Sequence, residues 1–209
     1  IEGVVASIET INPELHKNIC PDKQIGPYEE MLENAKGLKK SMTIVVGLGE
    51  KKEDFELLKD FIKKHELDRI TFYALKPITG GMFERGPDTE DYMWWVANTR
   101  IAFPKIEIIA GTTYKRITRE TNSETKDEVK LLMKAGANAI TKFPITKKFN
   151  SEAAKSIENN IRGSGREFVG TLTQLPDVDW DSEINSLDIS DDLKADMKNK
   201  IKDYLKRMK

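Results

Sequence analysis

The sequence predicts an α/β fold built on a parallel sheet, and three observations carry that expectation. Short apolar, β-branched runs alternate with charged segments of helical period from residue 3 to residue 143. The runs end in glycines or polar residues where the next helix opens, as at Met42-Thr-Ile-Val-Val46 followed by Gly47-Leu-Gly49 and Lys51-Lys-Glu-Asp54. The segments between runs are long enough to cross back over a sheet, which parallel neighbours require. From residues alone the array is either an open doubly wound sheet or an arc of a (β/α) barrel.

Gly3-Val-Val-Ala-Ser-Ile-Glu9 reads as the first strand, with Ser7 and Glu9 two apart on one face, and Asn12-Pro-Glu14 as a turn opening a helix. Pro27 to Lys39 reads as a helix with proline in its first turn and Gly37 near its end. Met42 to Val46 is a strand expected to be covered on both faces, and the glycines after it are, most plainly, a βα connection. Residues 51–65 place Phe55, Leu58, Phe61 and Ile62 on one helix face. Arg69 to Leu75 is the third strand, followed by the loop Lys76 to Gly81. Asp88 or Thr89 caps a helix whose Tyr92, Trp95, Val96, Thr99 and Phe103 form a packing stripe until Pro104 stops it. Lys105 to Ala110 is the fourth strand, residues 128–134 a helix closed by Gly136, and Ala137 to Phe143 a fifth strand.

Beyond the sheet, Ser151 caps a helix to about Ile161, and Phe168 to Leu172 is an edge strand or simply extended. Asp177 to Asp192 is acidic and loop-like. Leu193, Met197, Ile201, Leu205 and Met208 then recur at spacings of four and three on a lysine-rich helix, which reads as docked on its own domain.

Composition narrows the function. The 34 basic residues balance 35 acidic ones, so no global field favours nucleic acid or an anionic membrane. No apolar run approaches the roughly 20 residues that span a bilayer. A cytoplasmic location is the expectation. Cys20 is the single cysteine and His16 and His65 the two histidines, with no Walker, nucleophile-elbow or paired-histidine pattern. What remains is a set of polar residues assigned to strand carboxyl ends, namely Ser7, Glu9, Gly47 to Glu50, Tyr73, Lys76, Thr112, Thr113 and Asn138. In a parallel array these face one rim, where such folds bind ligands.

Taken together, Ile8-Glu-Thr10 with Pro13-Glu-Leu15, Ile44 to Glu50, Thr99 to Pro104, Ile109-Ala-Gly111 and Ala135 to Ala139 resemble the second half of biotin-synthase-like radical S-adenosylmethionine (SAM) enzymes. The resemblance covers roughly residues 1–145. Residues 140–144 and 165–171 look most like the branch known as HmdB, which matures the iron-guanylylpyridinol cofactor of methanogen hydrogenase. It implies the carboxyl-terminal half of a (β/α) TIM-type barrel over residues 1–145, a closing helix and extended segment over 146–176, and an acidic linker with an amphipathic helix over 177–209.

By position, the resemblance places Ser7 and Glu9 on the SAM ribose, Val46, Gly47, Leu48 and Gly49 with Tyr73 and Leu75 around adenine, and Lys23 near the SAM carboxylate. Thr112, Thr113 and Asn138 are left for substrate. The cysteine triad of the radical-generating [4Fe-4S] cluster is expected upstream of residue 1, so this chain holds no metal ligands and is expected to be inactive alone. Ser41 and Thr112 stand where biotin synthase has ligands of its auxiliary cluster, and sulfur insertion from such a cluster is not implied. The chemistry implied for the intact parent is cleavage of SAM to a 5'-deoxyadenosyl radical that abstracts hydrogen. The alternatives are a cofactor-free lyase or aldolase using Lys76 or Lys142 as Schiff base, and a non-catalytic half-barrel binding module. An open barrel edge at residues 4–9 is expected to be covered or paired with another chain.

Overall fold

The computed structural model describes residues 1–111, 127–141 and 143–208. They fall into two compact units, Ile1–Lys142 and Phe143–Lys209.

In the first unit the ladder is parallel throughout. Strands β1 (Gly3–Glu9), β2 (Lys39–Val46), β3 (Arg69–Ala74), β4 (Glu107–Gly111) and β5 (Ala139–Thr141) follow one another in chain order across one five-stranded open sheet. The helices between them are α1 (Pro13–Ile19), α2 (Gly26–Asn34), α3 (Phe55–His65), α4 (Thr89–Ala102) and α5 (Glu128–Ala135). This is the architecture of an arc of a (β/α) barrel, with all strand carboxyl ends on one rim.

Register explains the core. Ala6, Met42, Ile70 and Ile108 sit side by side across four strands and are fully buried. The next row, Ile44, Phe72 and Ala110, is also buried. Leu32, Leu58, Ile62, Tyr92, Val96 and Leu132 from the helices complete the core, each large side chain contributing about 1.5 to 3 kcal/mol by leaving water. The opposite face is different. Ser7, Thr43, Thr71, Ile109 and Ala139 form one row, and Val45, Tyr73, Gly111 and Thr141 the next. Most of these keep partial exposure, so β2 is not covered equally on both faces, contrary to the expectation from its apolar run.

Several local features follow from pairing. The expected helix to Lys39 ends five residues early at Asn34, because Lys39 and Lys40 pair with Gly3 and Val4 of β1 and the ladder outweighs helical propensity. Gly37, at φ 74°, makes the reversal. Tyr92 ties α4 to the sheet by donating its hydroxyl to the carbonyls of Phe72 (2.7 Å) and Gly111 (3.1 Å). Arg100, also on α4, donates to the carbonyls of Gly136, Phe103 and Pro104 and to Asn138.

The second unit comprises α6 (Ile145–Lys148), α7 (Glu152–Gly163), α8 (Trp180–Ser186) and α9 (Asp191–Arg207). Ser151 caps α7 through the Ala154 amide, as expected. Residues 168–172 form no strand. Their polar groups are taken locally: Glu158 of α7 accepts from the Leu172 amide (2.7 Å) and the Thr173 hydroxyl (2.9 Å), and the Asn150 amide donates to the Leu172 carbonyl. The acidic stretch expected as loop contains α8, because Asp179 accepts from the amides of Asp181 and Ser182 and Ile184 is buried. Helix α9 buries no residue completely, and its Lys194 and Lys198 bond Asn185 at the end of α8.

Two outcomes follow. Tyr92→Phe removes a buried hydroxyl whose one proton is shared between two carbonyls and is expected to lower stability by about 1 to 3 kcal/mol in a denaturant titration. Burial raises the Glu158 carboxyl, but the Leu172 amide, the Thr173 and Thr171 hydroxyls and Arg162 outweigh it and hold its pKa below the ordinary value. A depressed pKa stabilises above the unfolded value, about 4.3, and that stability is lost as pH falls through the folded one. Glu158→Gln is therefore expected to flatten the acid limb of the stability profile of the second unit, measured by thermal melting between pH 6 and 3.

Candidate functional site

The carboxyl rim of β1 to β3 gathers most of the polar groups singled out from sequence. At the end of β1 the register with β2 shifts between Ser7 and Glu9, so two residues of β1 oppose one of β2. Glu9 takes a left-handed backbone, φ 67°, which a non-glycine residue adopts at a cost and which clusters at functional positions. The simple alternation that put Ser7 and Glu9 on one face is interrupted at this bulge. The Glu9 carboxylate accepts from Lys23 Nζ at 2.6 Å, and Lys23 also lies over the Tyr28 ring, 5.4 Å from its centroid. Glu9 and Lys23 thus meet each other, which their separation of 14 residues did not reveal.

His16 and Cys20 of the β1–α1 corner surround this pair. His16 is buried. Burial and the Lys23 charge hold its pKa below the ordinary value against the Ile8 carbonyl and Glu9, so near neutral pH it is an uncharged ring. Burial and Glu9 push the Cys20 thiol up, against the pull of Lys23, which does not make it a nucleophile.

The glycine turn after β2 is closed by its own carboxylate. Gly47 and Gly49 have φ of 102° and 108°, and Glu50 folds back to accept from the amides of Gly47 (2.6 Å) and Leu48 (2.8 Å). Successive amides converging on one carboxylate form an anion nest. Burial raises the Glu50 carboxyl, while the amides of Gly47, Glu50, Leu48 and Gly49 oppose that rise. Val46 and Leu48 are buried, and a Cβ at Gly47 would meet Pro87 and Leu75, so turn, β3 exit and the start of α4 are packed together. Tyr73 lies against Gly111 so closely that no side chain fits there. The turn is also braced from α1: Asn12 donates to Asp54 (2.8 Å), whose other oxygen accepts from the Lys51 amide (2.8 Å).

Other assigned residues fall elsewhere. Asn138 precedes β5 and lies at the amino-terminal edge, not the carboxyl rim, because the last strand starts one residue later, at Ala139. Its side-chain oxygen accepts from the Ile108 amide and from Arg100, a structural use that corrects the rim placement. That edge also carries the Arg69–Glu107 ion pair (2.7 Å) and a cleft of about 480 Å³ lined by Leu67, Asp68 and residues 102–106. Ser41 is buried in the first half of β2, opposite Val5 and Arg69. Thr112, Thr113 and Lys142 lie outside the described residues. Lys76 is exposed, without the desolvation that activates a Schiff-base lysine. Thr43 and Thr71, on the partly open sheet face beside Ser7, were missed. Their alternation with apolar neighbours was the available signal.

Among the described residues, no three His, Cys, Asp or Glu side chains converge as a metal site, and no helix is long and apolar enough to cross a membrane. Glu50→Gln places an amide donor against the turn's own donors. It is expected to cost about 1 to 3 kcal/mol and to speed hydrogen exchange at Gly47 and Leu48, measured by NMR.

No protein-family model matches the chain. It is 35% identical, along its whole length, to an uncharacterized protein of Methanocaldococcus jannaschii, of which it spans 60%. Over 71 residues, 30% of this chain, it is 37% identical to the ribosomal protein uS12 methylthiotransferase RimO of one strain of Thermus thermophilus, covering 16% of that protein. The RimO of a second Thermus thermophilus strain is 45% identical over 47 residues, 22% of this chain and 11% of its own length. The chain is thus similar throughout to one archaeal protein and, over short stretches, to a methylthiotransferase.

Proposed function

We propose that this chain is the SAM-binding part of a radical SAM enzyme. The reading rests on the family resemblance, on the local similarity to RimO, and on one observation above the others. The segments that carry the resemblance at Ile8 to Thr10 and Ile44 to Glu50 end side by side on one rim of a parallel sheet.

The residues there suit the ligand. Glu9 offers a carboxylate to ribose hydroxyls, and its Oε2 takes no hydrogen bond from any described residue. Ser7 stands two residues before it. The turn from Val46 to Gly49, with Tyr73 and Leu75, is where the resemblance puts adenine, and Glu50 fixes its backbone. Lys23 supplies positive charge at the same rim. When bound and reduced through an iron-sulfur cluster, SAM supplies a radical able to abstract hydrogen. The single cysteine of this chain cannot furnish the cluster's thiolates, and the residues described here only bind and orient.

The finer reading is a role in cofactor biosynthesis, with the iron-guanylylpyridinol cofactor as the suggested product and a small molecule as substrate. The resemblance of residues 140–144 and 165–171 supports it. Methylthio transfer belongs to RimO, and the short matched stretches do not bring it here. In this reading residues 1–145 are the barrel half, with Thr112 and Thr113 left toward substrate, and the free edge of β1 pairs with a further strand or chain.

In the full-length polypeptide, Glu9→Gln is expected to keep the fold and weaken SAM roughly tenfold to a hundredfold, from the loss of about 1 to 3 kcal/mol. Anaerobic calorimetry against wild type, with melting temperature as control, measures this. Unchanged affinity in a folded variant removes the ribose assignment. Because Glu50 braces the turn, its substitution is no neutral control, and Glu14, exposed in the first turn of α1, serves instead.

A further inference from the structure

The resemblance puts Lys23 on the SAM carboxylate, but the geometry gives it other work. Its ammonium is already engaged by Glu9 Oε1 at 2.6 Å and by the face of Tyr28, and only 29% of the side chain is exposed. With one N–H spent on Glu9 and its charge already paired there, it offers a second carboxylate less net attraction than a free ammonium would. The ion pair meanwhile leaves Glu9 Oε2 without a hydrogen bond from any described residue, at a position where the backbone is held left-handed at φ 67°. A carboxylate fixed by one oxygen and open at the other suits a vicinal diol.

Resting on the SAM reading above, we propose that Lys23 is a positioning residue: it holds Glu9 Oε1 so that Oε2 meets the ribose hydroxyls, and does not itself contact the ligand's carboxylate. The neighbourhood supports a lasting charge on Lys23. Burial pulls its pKa down, but the Glu9 hydrogen bond and charge, with Tyr28 and Cys20, outweigh that and keep it above the ordinary lysine value. His16, buried and neutral near pH 7, adds no competing cation. Tyr28, at the start of α2, fixes the lysine stem from the other side.

The test compares two probes that share ribose and adenine but differ in the amino-acid tail. Adenosine and SAM are titrated calorimetrically into the full-length protein as wild type, Lys23→Met and Lys23→Arg, with melting curves to confirm folding. The proposal expects Lys23→Met to weaken both probes by a common factor, on the order of tenfold, and Lys23→Arg to restore most of that loss for both. Weakening of SAM with adenosine unchanged would show that Lys23 binds the tail and overturn the proposal, as would no change for either probe. If Lys23→Met does not melt cooperatively, Lys23→Leu, which also removes the donor to Glu9, gives the same comparison. Wild type that binds neither probe would defeat the SAM reading itself, a result distinguishable from failure of the Lys23 role.

Discussion

Everything in the first unit depends on the parallel ladder that runs from β1 to β5. Because each strand pairs in parallel with its neighbours, all five point the same way, and every loop that follows a strand arrives at one rim. The same register stacks Ala6, Met42, Ile70 and Ile108 into a dry row against the helices and leaves Ser7, Thr43 and Thr71 on the opposite face. One constraint therefore creates both the core and a polar, partly open surface that ends at the candidate site.

The two rims are finished in different ways. At the amino edge, side chains satisfy one another: Arg69 with Glu107, Arg100 with Asn138 and the Gly136 carbonyl, and Asp68 with the Lys40 amide. At the carboxyl edge a glycine turn is closed by its own glutamate, and a left-handed Glu9 is paired with a single lysine. Rigid backbone with an incompletely satisfied carboxylate is what a binding rim requires, and mutual satisfaction is what a structural edge requires. The cleft at the amino edge is lined by Leu67, Ala102, Phe103, Pro104 and Ile106 and offers few polar groups beyond Asp68 and Lys105.

The strands were legible because β-branched runs bounded by glycine leave little else to form, and the cap residues Asn12, Asp88 and Ser151 announced three helices that the structure contains. What escaped the sequence were pairings between segments. Nothing in spacing joins Glu9 to Lys23 or Asn12 to Asp54, since such contacts exist only after the β1–α1 corner has packed on the β2 turn. Asn138 belongs to the amino edge, as its second place in the run Ala137 to Phe143 already implies and its position just before Ala139 shows; grouping it with the carboxyl-end residues overlooked strand direction. Glu50 was more accessible: a carboxylate three residues after a positive-φ glycine is positioned to cap that glycine's amide. The helix at Trp180 was likewise announced by Asp179, and was hidden by the acidity of its surroundings.

Ligand binding at the carboxyl rim, and not at the amino edge, can be read residue by residue by mapping adenosine with heteronuclear NMR. Titrating adenosine into isotope-labelled protein is expected to shift the amides of Glu9, Gly47, Leu48 and Tyr73 in a saturable, concerted manner. No comparable shifts are expected at Asp68, Lys105 and Asn138. Saturable shifts confined to the amino-edge cleft around Leu67 and Ile106, with the glycine turn unmoved, would contradict binding at the carboxyl rim.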